Sequence, residues 1–506
     1  MNPATSELAP EATASSDDPV PVPAVEREID AEAADGTARP APALSTVFAL
    51  AAALVGVGIG AQRLGDNSFL THLATGRVML DDGIVREDVF TWTSAGESLT
   101  VQSWAASLLF GVVDEIAGFH GLRILMAILA GVLGFLVWQS GRRADSLLTR
   151  TAIMVPVFVI GVETWSERPL LVAFVAFTAT LVLVERGADH RFLVPIGFVW
   201  ISVHGSWPLG LVLLGARWIG SMIDGRTDGA PAGEATRQLR AMIWLGTGMV
   251  VGGIVNPYGP RLLFFPLELL GRQEVLQHVA EWKASGFQST WTRLFLVMVA
   301  AAVFAARRAP YVLVVPSVVF VVAALLSARN IPLASMVLVP MLAAGLPAIR
   351  GLDGRRRSDA NRLAVLGLGV LLVALPLIAV RGPHVELDRY PVDAVNAMED
   401  ELDLSPTQHR VVHQDFVGNY LDLRYGAAGA SWIDDRFELH DLELVEDYLA
   451  LLNGTPEWRA ALARHDPDAI LWPADRVLVE LALADGWETA WSDDDWVVLV
   501  PAAASN

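Results

Sequence analysis

The sequence predicts an α-helical polytopic membrane protein with a small C-terminal α/β domain, and three observations predict it. First, 53% of the 506 residues are hydrophobic and the mean hydropathy is +0.44, above the roughly 45–50% apolar content of soluble domains. Second, apolar runs near the roughly 20 residues needed to cross a bilayer recur from residue 45 to residue 380. Third, the net charge of -20 is unevenly placed: about 9 acids face 2 Arg in residues 1–42, about 26 face 8 in residues 381–506, and the middle is about +5. The acidity belongs to the soluble ends. There is no basic block of the nucleic-acid-binding kind, so no nucleic-acid partner is expected. The chain has no Cys, which excludes disulfides, Cys-ligated zinc and iron–sulfur clusters.

Residues 1–42 are rich in Pro, Ala, Glu and Asp and cannot bury enough apolar surface to fold, so they read as a disordered acidic cytoplasmic tail. They lack the basic segment of a signal peptide. Residues 43–380 form the multi-span domain. Its first span covers 45–62, where Gly56, Gly58 and Gly60 read as a close-packing stripe rather than a nucleotide loop. An outer loop follows over 63–120. Within it, 103–119 is apolar but short and contains Asp114 and Glu115, so it is expected to lie along the membrane surface as a helix. With 122–139 as the second span, Arg142, Arg143 and Arg150 fall on the cytoplasmic side, as the positive-inside rule asks.

Further spans are expected at 151–164, 170–184, 192–206, 209–223, 242–255, 294–306, 311–326, 331–348 and 363–380, about eleven in all. Every Arg-rich loop then lies inside, with the N-terminus cytoplasmic and the C-terminus outside. A second outer loop covers 257–291 and holds an apolar helix through 262–270. Residues 381–506 read as an extracytoplasmic α/β domain, with strands at 410–413, 469–472 and 496–500 and helices at 441–452, 456–464 and 475–484.

This topology gathers the unusual polar residues on the outer face. They are Asp66, His72, Glu87 and Asp88 in the first loop; Arg168; His204; Asn256 and Tyr258 in VNPYGP; Glu281 and Trp282 in VAEWKASGF; and Arg329. Transfer of a sugar from a lipid phosphate needs a carboxylate to take the acceptor proton or hold a metal, and cations to stabilise the departing phosphate. Asp66, Glu87 and Asp88 are the candidate catalytic acids. Arg168, Arg329 and His204 can meet the phosphate, and His72, Asn256, Tyr258, Glu281 and Trp282 complete the expected substrate-binding set. Each has a plainer use: Asp66 as a helix-end carboxylate, Glu87 and Asp88 as a solvated turn, Asn256 to Gly259 as a helix stop, and Asp434-Asp435-Arg436 as a brace of the outer domain.

Asp66-Asn67-Ser68, the His72 to Gly76 segment, Gly83-Ile84 before Glu87-Asp88-Val89-Phe90-Thr91, and Ser103-Trp104 together resemble the first outer loop of bacterial GT-C-type membrane glycosyltransferases. The resemblance is to the polyprenyl-phosphate-dependent mannosyltransferase-like and lipopolysaccharide-core-transferase-like members, whose catalytic carboxylate lies early in that loop. VNPYGP, AEWKASGF and GASWIDDRFEL resemble motifs of uncharacterised bacterial membrane proteins with the same plan.

The resemblance implies a GT-C-like fold in a bacterial plasma membrane, a polyprenyl-phosphate sugar donor, an extracytoplasmic glycan, lipid or protein acceptor, and Asp66 as base or as ligand of a divalent cation. Where some relatives have two acids, this chain reads Asp-Asn-Ser. The alternatives are a transporter or flippase of a lipid-linked glycan and a non-catalytic cell-envelope assembly protein. Against the transporter, the ionisable residues sit at span ends and no internal repeat is evident.

Overall fold

The computed structural model describes residues 40–226, 233–276 and 284–502. All but the last three residues of the expected tail lie outside these stretches, as do Glu281 and Trp282. The first half of the chain forms α1 (Leu44–Gly60), α2 (Asn67–Asp81), α3 (Trp104–Ser140), α4 (Leu147–Thr164), α5 (Pro169–Arg186), α6 (Leu193–Val203), α7 (Pro208–Asp224) and α8 (Glu234–Ile254). Next come α9 (Arg261–Leu270), α10 (Gln273–Leu276), α11 (Thr290–Ala305), α12 (Tyr311–Leu326), α13 (Ile331–Gly345) and α14 (Asp359–Ala379).

Each expected span falls on one of these helices. Among the described residues five helical stretches, α3, α4, α5, α14 and the one over Ala328–Gly345, are long and apolar enough to cross a membrane. The side chains left outside the bundle agree with a lipid surround, for α14 turns Leu363, Leu366, Val370 and Val373 outward, where water would be a poor neighbour. The segment 103–119 is a helix that meets the second span at a kink. Gly118, at φ 56°, bends the 37-residue element in a backbone region that favours glycine.

Helix packing follows the small residues. A Cβ on Gly56 would lie 2.1 Å from the Ala130 carbonyl oxygen, and one on Gly60 would lie 2.4 Å from that of Met126, so α1 meets α3 backbone to backbone. Gly58 faces Leu375 at 4.0 Å with room to spare. The same device joins α2 to α3, where a Cβ on Gly76 would sit 2.0 Å from the Ser107 carbonyl oxygen. Arg123 was not singled out in the sequence. Its guanidinium donates to the carbonyls of Ala61 at 2.7 Å and Ala379 at 2.6 Å, satisfying the open C-terminal ends of α1 and α14.

The loops sort to two ends of the bundle. At one end the Ala41 carbonyl accepts from Arg357, Glu185 pairs with Arg143 and Arg217 at 2.6 Å each, and Asp224 caps α12 by accepting from the Tyr311 and Val312 amides. At the other end lie residues 61–104, Glu167 and Arg168, His204, Tyr258 and the C-terminal unit, joined by the contacts described below.

The C-terminal unit comprises α15 (Val392–Asp400), β1 (Val411–Val412), α16 (Asp415–Tyr425), α17 (Leu442–Asn453), α18 (Trp458–His465), β2 (Ala469–Pro473), α19 (Val477–Ala484), β3 (Trp487–Ser492) and β4 (Trp496–Pro501). Its sheet has the order β1-β2-β4-β3, with β1 parallel to β2 and the other pairs antiparallel. Both faces are buried. Ile470, Trp472, Val497 and Leu499 pack with Trp432 and Trp458 on one side. The alternating Ala469, Leu471, Trp496 and Val498 join Val395, Val417 and Leu421 of α15 and α16 on the other, which is why the strands read as unbroken apolar runs. Helix α16 packs in turn on α2. The three expected strands and three expected helices are present; β3, α15 and α16 were not expected.

Candidate functional site

The site begins where α1 ends. Leu64 pairs with Val385, the chain turns at Gly65, and Asp66 caps α2 by accepting from the Ser68 amide at 3.0 Å. A carboxylate at a helix N-terminus satisfies an open amide and favours the helix dipole. Asp66 also accepts from the Nε of Arg168 through both oxygens, at 2.7 and 2.8 Å. Arg168 is held by its position as the cap before Pro169, which opens α5. The two residues are 102 positions apart in sequence.

Around this pair stand further ionisable groups. Burial pushes Glu167 up to about 7, with the Asp66 charge adding to the shift. Burial pushes Asp435 up to about 7 as well, although the Ser68 hydroxyl donates to its carboxylate. His72 lies on α2, its Nδ1 3.3 Å from the Ser103 hydroxyl and 3.2 Å from that of Ser107. Burial and the Arg168 charge lower it to about 4. His204 caps α6 and accepts from the Ser206 amide. Burial lowers it to about 3, helped by Arg329, His72 and Arg168. Both imidazoles are therefore neutral near pH 7. Asp66, His72, Arg168, His204 and Arg329, drawn from four separate stretches of sequence, share one electrostatic neighbourhood.

The C-terminal unit grips the start of α2. Arg389 donates to the Gly65 carbonyl, Tyr390 donates to the Asn67 side chain at 3.1 Å, and Asn419 donates to the Asn67 carbonyl at 3.1 Å. The Asn419 side chain also accepts from the Asp435 amide at 3.0 Å. Asp435 thus reaches the membrane-edge site, whereas its neighbours Asp434 and Arg436 brace the unit, as the sequence suggested for all three. Against the cost of burial, Arg436 holds the Asp434 carboxyl well below the usual carboxylate range.

The remaining sequence-derived residues fall elsewhere. Asp88 is buried; it accepts from Arg436 at 2.7 Å and from the Thr91 hydroxyl at 2.6 Å, which ties the first loop to the C-terminal unit. Glu87 is exposed and bridges to Ser98. Asn256 donates to the carbonyls of Gly253 and Gly259 and accepts from the Tyr258 amide, closing the turn after α8. The Tyr258 hydroxyl donates to the Val85 carbonyl at 2.7 Å. Glu281 and Trp282 lie outside the described residues.

Among the described residues no three His, Asp or Glu side chains form a metal-binding set. Both oxygens of Asp66 are engaged by a guanidinium. Among the described residues the donor set does not fit a divalent cation at Asp66. Sequence reasoning missed Ser68, Arg389, Tyr390, Asn419 and Asp435 as parts of the site; the run of acids in WIDDRF was the available signal for Asp435.

No family model matches the chain, and no curated protein does. Solved structures do. The archaeal oligosaccharyltransferase AglB from Archaeoglobus fulgidus, in complex with an inhibitory peptide and a dolichol-phosphate, aligns with a TM-score of 0.53 at 10% identity over 84% of this chain and 69% of that one. The A. fulgidus oligosaccharyltransferase tethered to an acceptor peptide containing the NVT sequon aligns at 0.52 and 12% identity, over 90% of this chain and 74% of that one. At these identities the likeness is one of fold alone: the chain shares the fold of these archaeal proteins.

Proposed function

We propose that the protein is a membrane glycosyltransferase that moves a sugar from a polyprenyl-phosphate donor to an acceptor outside the cytoplasm. The observation that carries the proposal is the Asp66–Arg168 pair at the first turn after the first membrane helix, ringed by two neutral histidines and Arg329. A lipid-linked donor suits a site at the bilayer edge, because its tail stays in lipid while its head reaches the outer loops. The archaeal proteins of similar fold, captured with a dolichol-phosphate and with an acceptor peptide, support this reading.

In the mechanism, the acceptor oxygen attacks the anomeric carbon and the bond from that carbon to the phosphate oxygen breaks. Arg168 and Arg329 meet the charge that builds on the departing phosphate. As Arg168 turns toward it, Asp66 loses its partner and takes the acceptor proton. His72 and His204, held neutral, offer hydrogen bonds without repelling the arginines' task. The proposed site sits at the end of the bundle opposite the Arg-rich loops, and the positive-inside rule supports a reading with residues 63–120 and 381–506 outside a bacterial plasma membrane, about eleven spans and the N-terminus inside.

Turnover in nanodiscs with a set of polyprenyl-phosphate sugars tests the reaction; absence of transfer by the wild type with every donor and acceptor class would overturn it. Topology is tested apart from it. Because the chain has no Cys, a membrane-impermeant thiol reagent should label Glu97→Cys in intact cells and spare Arg142→Cys; the reverse pattern would invert the orientation.

A further inference from the structure

A second cavity lies on the C-terminal unit, about 380 Å³ in volume, bounded by Arg389, Gln414, Phe416 and Trp496 and rimmed by acidic residues. Its size falls in the range of small-molecule sites. Three features distinguish it from an ordinary surface hollow. Gln414 is 6% exposed, and its side-chain Nε2 has no hydrogen-bond partner in the protein, a cost that native folds seldom leave unmet. Asp388, Asp475, Asp494 and Asp495 bring four carboxylates to the rim against the two guanidiniums of Arg389 and Arg476. Arg389 also donates to the Gly65 carbonyl, one residue from Asp66.

We propose that this cavity binds the glycan chain of a substrate, several sugar units away from the sugar undergoing transfer. The proposal rests on the transferase reading above and names the substrate class that the site would hold. Sugar hydroxyls both donate and accept. They can give hydrogen bonds to the carboxylates while accepting from the Gln414 amide and the guanidiniums. Half-buried Phe416 offers carbon-rich surface for the apolar face of a sugar ring, with buried Trp496 packed against it at a ring-centroid distance of 6.0 Å.

The excess of carboxylates disfavours an anionic ligand such as a phosphate head group, and the polar rim disfavours an acyl chain. The position agrees as well. Tyr390 packs on Phe416 at 5.8 Å and donates to Asn67, so an occupant would be anchored beside the helix start that carries Asp66.

The test is a binding measurement on the full chain in nanodiscs, made in the Asp66→Asn background so that no turnover is required. The probes are maltohexaose, a glucosamine hexamer, a galacturonate hexamer and a Lys-rich hexapeptide, read by tryptophan fluorescence and saturation-transfer NMR. The neutral and aminated hexasaccharides are expected to bind, and the galacturonate to bind at least about tenfold more weakly. Asp475→Ala with Asp494→Ala, both on exposed side chains, and separately Gln414→Leu should each weaken maltohexaose by about tenfold, the scale of a lost hydrogen bond to a charged or buried group.

No saccharide binding, binding unaffected by these variants, or preference for the hexapeptide over maltohexaose would overturn the proposal. Saccharide binding that depends on these residues, combined with a wild type that transfers from no donor, would sustain the cavity and sink the transferase reading.

Discussion

At the residue scale, Asp66, Asp88 and Glu87 separate into three kinds of acid, and their removal should be felt in three different measurements. Asp66→Asn keeps the cap on α2, since an amide oxygen still accepts from the Ser68 amide, but removes the charge to which the proposed mechanism assigns the acceptor proton. Transfer should fall about 10²–10⁴-fold at normal expression; wild-type turnover would remove Asp66 from the mechanism. Asp88→Asn takes one carboxylate from a buried guanidinium, Arg436, and breaking such a pair costs about 3–5 kcal/mol. The expected result is low yield or a lower melting temperature, with residual activity in whatever folds. Glu87→Gln, on an exposed turn, should change neither. The type of residue was legible in the sequence at Asp66, where a carboxylate follows a membrane-length run. The difference between Asp66 and Asp88 was not, because it lies in which arginine each one meets across 102 and 348 positions of chain, and no local pattern encodes that.

At the element scale, the apolar runs of the sequence each fall on a helix of the bundle, because lipid tolerates little else over such a length. The elements missed were the amphipathic or half-exposed ones. β3 reads WETAWS, with no clean alternation, and α15 and α16 are short helices whose apolar residues are paired to a particular sheet face rather than to lipid. Close helix contacts offer the sharpest test at this scale. Gly76→Leu would drive a side chain into the Ser107 backbone, separating α2 from α3 and moving Asp66 and His72 together. The expected loss is of activity and of detergent stability, whereas Gly58→Leu, on the same kind of helix with only Leu375 nearby at 4.0 Å, should be tolerated. Equal effects of the two would show that small residues do not set the packing.

At the scale of the whole molecule, the membrane bundle and the C-terminal unit form one polar seam, and that seam contains a carboxyl group with a raised pKa. Asp435, pushed up to about 7, binds a proton between about pH 4 and pH 7 that the unfolded chain does not. Its contribution therefore declines as pH rises through that window and levels off above it. Buried His72, His204 and His413, lowered to about 4, 3 and 4, act in the opposite sense below about pH 6.5, so the comparison must be made between variants. Relative to Asp435→Asn, the wild type should lose melting temperature steadily from pH 5 to pH 7.5. Parallel curves would mean that Asp435 is not protonated in the seam.

The grip on residues 65–68 has a consequence for how the protein comes into being. The partners that hold Gly65, Asn67 and Ser68 are Arg389, Tyr390, Asn419 and Asp435, between 323 and 367 positions later in the chain. During synthesis the start of α2 emerges early and waits, unsupported, until nearly all of the remaining chain has left the ribosome and folded against it. A ribosome stalled anywhere before the last hundred or so residues would release a chain whose α2 start still lacks these partners.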